Sequence, residues 1–189
     1  MRLRAFLLLA GFLPLCWLGM QAVHEFGHVL GGVLSGGTIT RVVLHPLTIS
    51  RTDVDPNPMP LFEVWAGPII GTLTPLLFWI LVRRMKLAWE FLLRFFAGFC
   101  LVANGAYLGC GSFYSIGDAG ELLRHGCPIW GLWLFGGLTI PLGFSLWHGE
   151  GVHFGLGRTP QPISSRIIVG CYCLLILMIG AEFLWSPSG

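Results

Sequence analysis

Charge is what this sequence has least of. Of its 189 residues, 11% are Asp, Glu, Lys or Arg, 54% are hydrophobic, and the mean hydropathy is +0.76. A soluble domain carries about 25% charged residues. So little charge cannot cover a globule in water, and the expected solvent is lipid. Basic tracts are missing too. With a formal net charge of +2, nucleic acid is not an expected partner. Repeats and low-complexity tails are absent. The six cysteines include no C-x-x-C pair of the kind that builds a zinc ribbon. They lie mostly inside apolar runs, where Cys acts as a small hydrophobe, so they do not report a redox compartment.

What remains is a set of long apolar runs. A helix needs about 20 such residues to cross the hydrocarbon of a bilayer. Five candidates appear, at 5–34, 61–82, 87–114, 129–147 and 167–185. The expected fold class is therefore an all-α membrane protein, a polytopic bundle of about five transmembrane helices in one domain, 1–189. The basic start followed by an apolar run resembles a signal peptide. However, the apolar character continues to Leu34, and cleavage near Ala22 would remove most of that helix. The longest polar connection is 35–60. Its first part, "TITRVVLHPLTISRT", carries β-branched residues in partial alternation and reads as a short hairpin. Its second part, "DVDPNPMP", is too rich in proline to be helical.

With five spans, Arg2, Arg4, Arg83, Arg84, Lys86, Arg94, Arg158 and Arg166 fall on one side, and Arg41, Arg51 and Arg124 on the other. This bias predicts a multi-pass protein of the cell membrane with a cytoplasmic N-terminus and the 35–60 loop outside.

Three ionisable groups interrupt the first run. "AVHEFGHVLGG" (22–32) contains H-E-x-x-H. With six His and six Glu in the chain, chance placement gives roughly 0.006 occurrences of that pattern. On a helix, His24 and His28 lie on one face, one turn apart, and both imidazoles can reach one zinc ion. Glu25 is rotated by about 100° from His24. That suits a proton acceptor beside the metal better than a third ligand. An intramembrane charge is also costly enough to be a functional candidate by default.

A third ligand is still needed. The chain has only three aspartates: Asp53 and Asp55 in the polar loop, and Asp118 just past the third span. The first and third spans run in the same direction, which brings Asp118 to the histidines' side of the membrane. Glu63, Glu121 and His125 are the rival ligands, and the alternative for Asp118 is a helix N-cap.

With these residues in hand, the chain resembles the site-2 protease family of intramembrane zinc metalloproteases. "VHEFGH" (23–28) resembles the family's zinc motif, "WAGPII" (65–70) its A-G-P segment, and "GDAGELL" (117–123) its aspartate-glycine motif. The resemblance covers a little over half the chain. It implies that His24, His28 and Asp118 bind zinc, that Glu25 is the catalytic acid/base, and that β structure lies beside the site. It also implies that the substrate is a membrane protein cut in or near a membrane-spanning segment. Three departures stand out. Gly71 occupies a position near which the family often has Asn, Ala119 separates Asp118 from Gly120, and no proline precedes Asp118. The zinc of most members also lies toward the cytosol, opposite to the charge bias found here. Two other function classes fit the same residues: a zinc or proton transporter, and a catalytically silent relative that binds membrane proteins.

Overall fold

A computed structural model describes residues 2–156 and 159–185. Six α-helices and one two-stranded sheet follow one another: α1 (Arg2–Leu34), β1 (Ile39–Val43), β2 (Arg51–Val54), α2 (Pro60–Arg83), α3 (Glu90–Tyr114), α4 (Gly117–Arg124), α5 (Ile129–Trp147) and α6 (Ser165–Trp185), with a 3-10 turn at Glu150–Val152. Helices α1, α2, α3, α5 and α6 are long and apolar enough to cross a membrane. Their outward side chains, among them Leu77, Leu81, Phe144, Leu174, Ile176 and Leu177, are exposed and apolar. Such a surface is stable only against lipid. The chain is an integral, multi-pass membrane protein, an all-α bundle with a hairpin between its first and second spans.

The spans differ from the sequence expectation mainly at their ends. α1 begins at Arg2 instead of residue 5. α3 begins at Glu90, because residues before it form a turn in which Lys86 has φ 52. At 1.5 Å per residue, the 33 residues of α1 extend about 50 Å, well beyond the roughly 30 Å of hydrocarbon. Pro14, Pro68, Pro75 and Pro141 lie inside spanning helices, as membrane helices tolerate.

Close backbone approach sets the packing. A Cβ at Gly27 would lie 2.5 Å from the Ala66 carbonyl oxygen, and one at Gly136 would lie 2.8 Å from that of Gly105. Small residues thus seat α1 on α2 and α5 on α3, in the manner of membrane interfaces. At one end of the bundle, Ala5, Leu8, Phe12, Phe91, Phe154 and Ile163 form a tight apolar cluster that joins α1 to α3. At the other end a cavity opens between α1, α3 and their neighbours. The hairpin fills part of that space, pairing Arg41 with Asp53, Val42 with Thr52 and Val43 with Arg51. It rests on the end of α1, where Gly32 leaves room for Ile39 and Val54.

Candidate metal centre

The cavity at this end has a volume of about 920 Å³ and is lined by α1 residues including Gln21, His24, Glu25 and His28, by β2, by the start of α2, by Asn104 and Tyr107 of α3, and by Asp118 of α4. His24, Glu25 and His28 are all at least nine-tenths buried. Their helix turns the two imidazoles toward each other, with the Nε2 atoms 3.0 Å apart.

Asp118 joins them from α4. Ser115, with φ 51, and Gly117, with φ 53, reverse the chain sharply after α3, and Asp118 follows in the first turn of α4. Its Oδ2 lies 2.9 Å from His24 Nε2 and 3.2 Å from His28 Nε2. Ligand atoms of the three residues lie within 4.8 Å of one another, the one such group among the described residues. The N-cap of α4 is Ile116, and no side chain caps that end. Asp118 is thus turned toward the imidazoles and does not serve as a cap.

The outer ring nitrogens are each engaged. His24 Nδ1 is 2.6 Å from Asn104 Oδ1, and Asn104 Nδ2 donates to the Cys100 carbonyl. The amide is oriented by that second bond, so its oxygen accepts from Nδ1–H of His24. His28 Nδ1 is 2.9 Å from Glu63 Oε1, while Asn57 donates to Glu63 Oε2. Glu63, a rival ligand by sequence, therefore holds His28 from behind. With both protons on Nδ1, both Nε2 atoms present lone pairs. Two lone pairs and a carboxylate oxygen converging in a buried site require a cation, either a metal ion or added protons. Burial alone would favour a neutral Asp118, but when the imidazoles take up those added protons their hydrogen bonds and charge outweigh burial and hold the carboxyl well below its usual range.

The remaining rivals line the same cavity but pair with each other. Glu121 pairs with Arg124 at 2.7 Å and lies 3.8 Å from His125; Arg124 and His125 are exposed, Glu121 is half-buried, and none belongs to the triangle. Glu25 is not part of the triangle. Its Oε2 accepts a hydrogen bond of 2.7 Å from the Thr52 hydroxyl of β2.

Sequence reasoning missed four participants: Asn104, Thr52, Asn57 and Tyr107. Only Asn104 left a signal, as an amide inside an apolar span. It comes from α3, and Gly71 of α2 makes room for it, since a Cβ there would lie 3.1 Å from the amide. The side chain that the resemblance leads one to expect near Gly71 is absent, and an amide reaches His24 from another helix.

No known protein family, curated protein or solved structure matches this chain.

Proposed function

We propose that this protein is an intramembrane zinc metalloprotease of the site-2 protease type, cutting membrane-protein substrates in or near their spanning segments. The observation that carries this reading is the triangle of His24 Nε2, His28 Nε2 and Asp118 Oδ2, formed by two buried histidines and a partly buried aspartate, beside a carboxylate that is not part of it. Ligands about 2.0–2.1 Å from a tetrahedral zinc lie about 3.3–3.4 Å from one another. The observed edges of 2.9, 3.0 and 3.2 Å are a few tenths shorter, so a small expansion fits the set to the ion. The outer bonds to Asn104 and Glu63 supply the orienting partners that metal-bound histidines usually have.

A zinc ion held there would supply Lewis acidity, polarising a peptide carbonyl and making a water acidic near neutral pH. Glu25, tethered by Thr52, accepts the proton of the attacking water and returns it to the leaving amine. The β2 segment lines the same cavity and offers an extended surface against which an unwound peptide can pair. The unwinding is required because a helix hides its carbonyls in hydrogen bonds.

The transporter reading needs ionisable groups along a path through the bilayer. Below the site, α1 and α3 instead meet through Phe12, Cys16, Phe95 and Phe99. This favours a single site at one end of the bundle. The test is whether purified protein contains zinc and cuts a co-expressed single-span membrane reporter. A zinc current without any cleavage would overturn the protease reading.

The charge bias supports an orientation with Arg2, Arg4, Arg83, Arg84 and Lys86 in the cytoplasm and the site toward the opposite face; Arg158 lies outside the described residues. Reporter fusions at Arg84 and in the 35–60 loop are expected to report cytoplasmic and external sides respectively. The reverse result would place the site toward the cytosol.

Asn104→Leu keeps the branched heavy-atom shape, though its methyls are bulkier, and removes the bond to His24. Zinc affinity, measured by chelator competition, is expected to fall about 10- to 100-fold.

A further inference from the structure

The hydroxyl of Tyr107 has an unspent proton. Its oxygen accepts a hydrogen bond from the Asp118 backbone N–H at 3.2 Å, and among the described residues nothing accepts its own O–H. A phenol can do both at once. The ring is held edge-on against His24, with centroids 5.9 Å apart. It is also partly buried against the cluster of Val64, Leu108, Ala119, Leu122 and Leu132. Position 117 has to be glycine for this arrangement. Its φ of 53 disfavours a side chain, and a Cβ there would collide with the Tyr107 hydroxyl. Tyr107 lines the cavity together with Glu25 and Asp118.

We propose that Tyr107 is a further catalytic residue, a hydrogen-bond donor to the substrate's scissile carbonyl oxygen as that oxygen becomes negative. The proposal rests on the metalloprotease reading above. During addition, the water oxygen bonds to the carbonyl carbon, the water's proton passes to Glu25, and the C=O π pair moves onto oxygen. Tyr107 keeps its proton and donates a hydrogen bond to that oxyanion. On collapse the carbonyl re-forms, the C–N bond breaks, and the amine takes the proton from Glu25. The products are an acid and an amine, and Tyr107 is unchanged. A donor already fixed by Asp118 needs little reorganisation, which is what makes such groups effective.

The test compares wild type with Tyr107→Phe using two inhibitors that share one dipeptide. A phosphonamidate carries a tetrahedral oxyanion. A mercaptoacyl dipeptide binds zinc through sulfur and has no oxyanion. The substitution is expected to weaken the phosphonamidate about 10- to 100-fold. It should change the thiol less than about twofold and leave the zinc content unchanged. Equal affinity of both proteins for the phosphonamidate would overturn the proposal. So would parallel loss of both inhibitors together with zinc, which would mean that Tyr107 only holds Asp118. If zinc-loaded wild type binds neither inhibitor, the protease reading itself falls, and the proposal with it.

Discussion

Glu25→Gln is expected to abolish peptide cleavage while leaving zinc bound. Glu25 is 3% exposed, and among the described residues its one side-chain hydrogen bond is to the Thr52 hydroxyl. Gln has nearly the same size, and its amide oxygen can accept the same bond, so packing should survive. The amide cannot take a proton from water at neutral pH, which removes the general-base step. The loss should be at least about 10²-fold, the low end for such catalysis. Cleavage of a co-expressed single-span reporter, read beside the zinc content of the purified variant, checks this. A folded, zinc-loaded Glu25→Gln protein that cuts at the wild-type rate would refute the role given to Glu25.

His24→Ala should behave differently, losing metal and activity together. It removes one corner of the triangle and leaves the Asn104 oxygen without its donor at a position that is 1% exposed. Asp118→Asn is the gentler companion, keeping the shape and removing the charge that the two imidazoles face. Metal that binds only the folded state stabilises it by RT ln(1 + [L]/Kd), about 4 kcal/mol at a thousandfold excess over Kd. Chelation should therefore lower the unfolding temperature of the wild type in detergent and leave that of His24→Ala unchanged. An equal response in both would place the stabilising metal elsewhere.

The parts of this site written in local geometry were legible in the sequence. His24 and His28 are four residues apart on one helix, and helical pitch alone brings them together. Counting apolar runs was enough to bring Asp118 to the same end, because alternating spans fix which helix ends coincide. Which carboxylate turns inward was not legible. Glu63, Asp118 and Glu121 all reach that end, and only the reversal at Ser115 and Gly117 aims Asp118 at the imidazoles. Asn104 and Tyr107 depend on how α3 is rotated about its axis. An apolar helix buried on several sides leaves that rotation unspecified in its pattern of residues. The hairpin was readable from its β-branched residues, but its contact with Glu25 through Thr52 was not, since loops carry no periodic record of what they touch.

The most direct measurement is zinc-edge X-ray absorption on the purified full-length chain. The account predicts one zinc per chain with a shell of nitrogen and oxygen, two imidazoles among the ligands, at about 2.0–2.2 Å. Protein that is folded but binds no zinc, or a shell dominated by sulfur near about 2.3 Å, would contradict it.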